Sequence, residues 1–492
     1  VTSERMPTDA TPPAGEPAAA DEVAWPSPAS APRPWLASYP PHVPASWPYP
    51  PVAMTRLLDD AAADFPTTTA LRSAGVALTY RELLDAVDRF AVALGALGVE
   101  PGQRVGLLLP GVPHHVIALL AVWRRGASAV SLPPDAPAAV TGARLEDEGC
   151  RVVVCAESCY PTLAALKGEL TTVRHVALSE TTEDAPLPRR LLWGLRGWRE
   201  RRRLLAGEGV QRMRDLIAAA PPAPPEGAVG ARDEALVVHQ GGERLAVSHD
   251  SLVAATFQLR LWLPDIHAGS EAVLAAEPLH TVLGVVGGLG LATLTAATLE
   301  LTAESAAGAL RAAARRGRPT LLVAGPRATR ALAQAHERRD LGALRLGLCV
   351  AGHTEASESA DAAAPESAAV AEEVQQAEAA ADALAARSGA RVRVGWGCPP
   401  APLISANPLY GRAERGSLGL PLPDTACWLG EQPDPAAPAH PTQDTGPLWV
   451  AGPQVAAMRG AWQDGEPDAR HWLATGVRAH LDRAGYLHPR DS

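Results

Sequence analysis

Val392–Gly411, VRVGWGCPPAPLISANPLYG, begins as a strand and ends as a puzzle. A β-branched run leads into Gly395, Trp396 and Gly397, as where a strand ends against a flat ligand. Cys398, Pro399 and Pro400 come next, and proline offers neither a hydroxyl nor an amide donor. Upstream, an acidic-faced helix from about Glu366 to Arg387 stops at Gly389. Before it lie short apolar runs, EALVVHQ (234–240), EAVLAAEPL (271–279), PTLLVAG (319–325) and LRLGLCVAG (344–352), separated by helical patterns. Strands alternating with helices predict a mostly parallel sheet covered on both faces.

The same alternation occupies the first half of the chain. MTRLLDDAAADF (54–65) has apolar residues at helical spacing, and Thr79 with Glu82 three positions later predicts a capped helix start. QRVGLLLP (103–110) reads as a buried strand, HHVIALLAVWRRG (114–126) as helix, SAVSL (128–132) as strand, a helix from about Thr141, and CRVVVCA (150–156) as strand. After Gly411 the texture changes to short strands and Gly/Pro turns, predicting a small, mostly antiparallel unit.

Two stretches fall outside this pattern. Residues 1–50 are rich in proline and alanine; the first thirty or so bury too little apolar surface to offset chain entropy and are expected to be disordered. Trp35, Tyr39, Trp47 and Tyr49 read either as a tether lying extended along the folded body or as an exposed recognition segment. The basic interval 187–216 carries Leu191, Leu195 and Trp198 on one stripe, which fits a helix packed on the body or, through 189–203, peripheral contact with an anionic membrane. The expected division is an arm at 1–50, α/β subdomains at 51–233 and 234–410, and a β-rich subdomain at 411–492.

Composition limits the chemistry. The chain has 492 residues, too many for one ordinary core. Its formal net charge of −10 argues against a general nucleic-acid binder. No window is long and apolar enough for a transmembrane helix and no basic leader is evident, so the expected location is the cytoplasm. Six cysteines are too few for a disulfide scaffold, and the grouped Cys150, Cys155 and Cys159 sit in a strand-like context. Lys167 is the only lysine. Arginine keeps the charge but not the compact ammonium.

From about Val52 to Ser492 the chain resembles the large N-terminal domain of AMP-forming acyl-CoA ligases, in the adenylate-forming superfamily, and is similar in texture to long-chain fatty acyl-CoA ligases. The resemblance rests on WPYPPVAMTRLLDDAAADFP, EPLHTVLGVVGGL, GWGCPPAPLISANPLYG with RGSLGLPLPDTACWL, GPLWVAGPQV and WLATGVRAHLDRAGYL, in that order. It implies two abutting α/β subdomains plus a small β-rich one. It also implies joining a carboxylate to ATP, then passing the acyl group to a thiol.

The resemblance carries four requirements. A triphosphate loop of hydroxyls, glycines and a lysine corresponds to Val237–Leu252, where Gly241 and Gly242 remain, Glu243 and Arg244 succeed them, and the hydroxyl cluster and lysine are missing; a plain hairpin turn fits these residues too. The Thr-Glu pair that would touch the α-phosphate and Mg²⁺ corresponds to Pro399 and Pro400. Trp396 and Gly397 keep the shape of that loop, and Trp396 could stack on a planar ring or simply pack in a core. The aspartate that would accept from the ribose corresponds to Val477, with Asp482 nearby in a turn-like DRAGY. The lysine-bearing C-terminal lid is expected to be absent, since the chain ends about where the hinge would begin.

His280 matches the polar residue beside the family's acyl pocket, and Gly284 opens the small-residue run GVVGGLGLA, which could admit an acyl chain or a closely packed helix. The expectation is a cavity lined by both His280 and Trp396, holding an acyl chain or nothing. No obligatory cofactor is expected; ATP or AMP is an option and Mg²⁺ is not expected. Three readings stay open: a catalytically degenerate homologue acting as a binding, regulatory or partner subunit; an active fatty acid or other carboxylate ligase, its lid supplied in trans; and a structural component of an oligomer. Expected partners are an acyl ligand, a protein or a second copy of the chain.

Overall fold

The computed structural model describes residues 33–73, 75–166, 168–180, 209–222, 229–240, 243–303, 306–334, 341–353, 367–431, 445–455, 457–458, 462–463, 466–467 and 472–490. Two large mixed sheets carry the architecture. The first has nine strands, in spatial order Leu420–Pro421, Ala401–Ala406, Arg391–Cys398, Leu346–Ala351, Leu321–Ala324, Ala272–Leu274, Thr298–Glu300, Thr69–Arg72 and Ala77–Thr79. It is parallel from Arg391–Cys398 through Thr69–Arg72 and antiparallel at both edges. The second has eight strands: Ala457–Met458, Glu243–Ser248, Glu234–Gln240, Ser128–Ser131, Arg104–Leu108, Val152–Ala156, His175–Ser179 and Val210–Arg212. A four-stranded antiparallel sheet of Ala426–Leu429, Thr445–Ala451, Leu473–Leu481 and Leu487–Pro489 completes the β-rich part.

Local sequence accounts for the elements. The Tyr80–Ala96 helix starts at a complete capping box: the Thr79 hydroxyl accepts from the Glu82 amide, and the Glu82 carboxylate accepts from the Thr79 amide at 2.8 Å. The Ser367–Ser388 helix is succeeded by Gly389 at φ 80°, a left-handed stop that glycine adopts without a Cβ clash. Val152–Ala156, Ser128–Ser131 and Leu346–Ala351 are buried throughout, as expected of central parallel strands covered on both faces.

Sheet membership departs from sequence order. Thr69–Arg72 and Ala77–Thr79 lie in the sheet otherwise built from residues 272–421, whereas Glu234–Gln240 and Glu243–Ser248 complete the sheet of residues 104–212. A cut at 233/234 therefore does not separate the two sheets. Thr69–Arg72 pairs with Thr298–Glu300 across more than two hundred residues, and no local periodicity encodes such a pairing.

The aromatic part of the N-terminal arm is bound to the body. Trp35 and Trp47 are buried, and Tyr39 meets Trp262 edge-on at 5.6 Å between centroids. The Tyr39 hydroxyl donates to the Pro421 carbonyl, and the Trp47 amide donates to Asp424 Oδ2 at 2.9 Å. The first thirty or so residues, expected to be disordered, and the basic stretch 189–203, read as a packed helix or a peripheral membrane contact, lie outside the described residues. No helix among the described residues is long and apolar enough to cross a membrane.

Candidate functional site

A cavity of about 450 Å³ opens between the two large sheets. Its walls come from the segments that leave the C-terminal ends of parallel strands: Leu109–Gly111, Ser131 with Pro133–Asp135, Val238–His239, Ala275–Thr281, Thr302–Ala303 and His353. Parallel sheets gather ligand sites at these strand ends because every strand there hands over to a loop at the same edge.

His280 lines this cavity and is half-buried. Burial pushes its imidazole pKa down to about 4, and neighbouring His115 lowers it further while Asp135 works in the opposite direction. The next residue fixes its segment: the Thr281 hydroxyl donates to the Pro278 carbonyl at 2.9 Å and accepts from the Gly284 amide at 3.0 Å. His353, which follows a strand of the same sheet, is also held neutral by burial, with its pKa near 4, and its Nε2–H donates to the Pro402 carbonyl at 2.9 Å. Glu277 accepts from the Gly325 amide at 2.7 Å, so a carboxylate of the chain itself takes the first donor at the start of the Pro326–Ala333 helix.

Trp396 does not join His280 in this cavity. It is 1% exposed, lies in the first sheet between Ala351 and Ser405, and its indole N–H has no hydrogen-bond partner. Stacking on a ligand ring is thereby replaced by core packing. Gly397 and Gly284, also expected at the site, have structural reasons to be glycine and do not line the cavity. A Cβ on Gly397 would sit 2.4 Å from the Pro402 carbonyl oxygen, and one on Gly284 would sit 2.0 Å from that of Pro278. Both contacts are with backbone, which a small shift does not relieve.

The Pro399–Pro400 segment is a tight turn. Cys398 pairs with Ala401, so the prolines close a two-residue hairpin between Arg391–Cys398 and Ala401–Ala406. Val477 lies within the long strand Leu473–Leu481 at 1% exposure, buried with the core. Asp482 accepts from the amides of Ala484 and Tyr486 at 2.9 and 2.8 Å, which fixes the DRAGY turn and occupies its Oδ1.

At the counterpart of the triphosphate loop, Gln240 pairs with Glu243, leaving Gly241 and Gly242 as the connection between the strands. Both glycines lie outside the described residues. Arg244 is engaged on the body: its guanidinium reaches Glu148 at 2.8 Å and Glu234 at 3.2 Å. His239, Arg244 and Arg104 together hold the Glu148 carboxyl down at about 2 despite its burial. No group of three His, Cys, Asp or Glu side chains among the described residues is placed to hold a metal ion.

Sequence reading missed Ser131, His239, Glu277 and His353 as lining residues. Each is among the first polar residues at or after the end of a parallel strand run. That position is the signal that would have found them.

The chain matches the family model described as AMP-binding enzyme over residues 58–207 and 245–460. It is 25% identical over 480 residues to a long-chain-fatty-acid–CoA ligase of Bacillus subtilis, covering 93% of this chain and 80% of the relative. A feruloyl-CoA synthase of Amycolatopsis is 28% identical over 446 residues, covering 87% of this chain and 76% of the relative. Among solved structures, a long-chain-fatty-acid-CoA ligase from Archaeoglobus fulgidus superposes with a TM-score of 0.69 at 18% identity, covering 92% of this chain and 86% of that one. The N-terminal domain of a Mycobacterium tuberculosis protein, FACL13, superposes at 0.66 and 18% identity, covering 89% of this chain and 100% of that one. Together with the two abutting sheets and the small antiparallel one, the family match identifies the chain as a member of the AMP-binding enzyme family of acyl-CoA ligases.

Proposed function

We propose that this chain binds an acyl ligand in the cavity beside His280 and does not adenylate it. The observation that carries this reading is a contrast within one site: an open cavity borders the His280 segment and reaches Val238 and His239 of the triphosphate counterpart, while the positions that would touch the α-phosphate, metal and ribose are a Pro399–Pro400 hairpin turn and a buried valine, Val477. A magnesium-bound nucleotide does not fit the residues offered in the family pose. Prolines supply no hydroxyl, carboxylate or amide donor to phosphate or metal, and valine cannot accept from a ribose hydroxyl. Arg244, the cation beside the triphosphate segment, is already paired with Glu148 and Glu234. Removing a single electrostatic contact to developing charge costs about 3 kcal/mol, or roughly 10²-fold in rate. Several such contacts acting as one constellation do not add, so no summed figure applies, and their joint loss is expected to bring turnover down to background.

A second reading has its own support. The named relatives, matched over most of this chain, are CoA ligases, and by kinship alone the chain would be an active ligase of a fatty or other carboxylic acid. One measurement separates the two: pyrophosphate release by the purified chain with Mg·ATP and a panel of fatty and aromatic acids. Steady acid-dependent release establishes the ligase reading and ends the first. The expected result is release at background level, alongside saturable binding of an acyl ligand by calorimetry.

A further inference from the structure

The polar groups facing the cavity have a charge balance of their own. The Ser131 hydroxyl, on a residue 2% exposed that lines the cavity, has no hydrogen-bond partner. His239 lines it too; its Nε2 lies 3.2 Å from Glu148 while its Nδ1 is buried without a partner. Behind His280, buried His115 uses Nδ1 at the Pro110 carbonyl, 3.1 Å away, and leaves Nε2 unpartnered. Buried polar atoms without partners are uncommon in folded proteins, and the two on lining residues, at Ser131 and His239, are groups that a ligand's polar atoms would satisfy.

The charged groups of the same cavity are unsuited to an anion. Asp135 and Glu277 contribute carboxylates, and Arg327 is the arginine in its lining. Arg327 already interacts within the chain, and Glu277 occupies the Gly325 amide. His280 and His353 stay neutral at pH 7 because burial disfavours their charged forms. An ionised carboxylate placed here would lose its water without gaining an uncommitted cation among the described lining residues, whereas an amide or ester carbonyl, or a hydroxyl, loses little and can pair with hydroxyl and imidazole groups.

We infer that the ligand of this cavity is a neutral acyl derivative, an amide or an ester-like carbonyl compound, whose polar end meets the Ser131 and His239 wall, and not a free carboxylate or a polyphosphate. The inference rests on the acyl-binding reading above and narrows its ligand class.

The test is calorimetric titration of the chain at pH 7.5 with octanamide and with octanoate, which share a chain and differ at the polar end. Octanamide is expected to bind at least about tenfold more tightly than octanoate. Ser131→Ala, a small deletion, is expected to weaken octanamide several-fold while leaving octanoate unchanged, with an unaltered melting temperature showing that the variant is folded. Ser131→Thr, which keeps the hydroxyl, should retain the preference. Octanoate binding as tightly as octanamide, or an octanamide affinity indifferent to Ser131→Ala, overturns the inference and leaves acyl binding standing. Binding of neither compound overturns both.

Discussion

His280 and Trp396 occupy similar sequence contexts and have opposite fates. Each stands beside glycines in a segment that resembles a family motif, yet His280 borders an open cavity and Trp396 lies 1% exposed inside a sheet. The difference comes from the element that the chain builds immediately after each residue. Thr281 caps a helix start and turns the chain away after His280, leaving that side chain at a strand-end edge. After Trp396, the prolines close a hairpin that folds Ala401–Ala406 back beside the strand, with Ser405 opposite the tryptophan. A motif can thus keep its outline while the element it introduces decides whether it meets a ligand or a core.

The largest expected effect sharpens that contrast. Trp396→Ala should destabilise the chain by about 3–5 kcal/mol, as large-to-small changes at buried aromatic sites do, because the surrounding strands cannot fully collapse into the space. Urea denaturation monitored by circular dichroism measures it. A loss under about 1 kcal/mol would mean that Trp396 is mobile or exposed in solution, returning it to the ligand site.

Next comes acid sensitivity centred on His249, another residue that ends a motif-like segment but serves the core. Its Nδ1 accepts from the Met54 amide at 3.3 Å, its ring meets Trp123 edge-on at 5.6 Å, and burial pushes its pKa down to about 3. Because the folded pKa lies below the unfolded value near 6.5, the unfolded chain takes up this proton first as pH falls. Stability is therefore complete above about pH 6.5 and falls by about 1.4 kcal/mol per pH unit for this one group, until the folded state also protonates near pH 3. His249→Gln should make the pH dependence of unfolding between pH 6 and 4 shallower by about one proton. An unchanged slope would show that His249 is already charged or solvated in the native state.

These side chains also mark how far the sequence could be read. The Thr79–Glu82 capping box, the buried strands and the Gly389 stop are short-range chemistry and were legible. The pairing of Thr69–Arg72 with Thr298–Glu300 was not, because a strand buried on both faces carries no mark of its neighbour. The same difficulty hid Trp396, since alternation cannot tell a ligand-facing side from a core-facing side when both faces are apolar. LATGVRAHL resembles a ligand motif and is a nine-residue strand whose alternating burial fits an antiparallel sheet with one face outward. His280 was legible through the resemblance. Ser131, His239 and His353 come together only when two sheets meet, and lone polar residues at strand ends carry no spacing that points to one another.

A smaller effect is expected at the glycine beside the tryptophan. Gly397→Ala puts a methyl group 2.4 Å from the Pro402 carbonyl oxygen and 2.8 Å from that of Ala401, so the backbone of the hairpin must open to admit it. The cost should be about 1–3 kcal/mol, typical of overpacking a well-filled site. Octanamide affinity should stay within about twofold of the wild type if the hairpin serves only the core, and calorimetry beside the denaturation curve checks both halves. A stability-neutral change with lost affinity would place the hairpin at the ligand after all.

The smallest change in stability is expected where the strongest functional effect is, at His280. The residue is half-buried at a cavity edge, and its backbone is fixed independently by Thr281, whose hydroxyl bonds to Pro278 and Gly284. Removing the ring enlarges a space that is already open, so little packing is lost. His280→Ala should therefore change unfolding free energy by no more than about 0.5 kcal/mol, in the range of substitutions that touch no packed feature. The same substitution should weaken octanamide binding by about tenfold, the equivalent of one hydrogen bond of about 1.4 kcal/mol with a buried partner. Measuring both quantities on one preparation distinguishes a ligand-facing histidine from a packed one. A loss of several kcal/mol with unchanged affinity would make His280 a core residue like Trp396, and the contrast between the two segments would vanish.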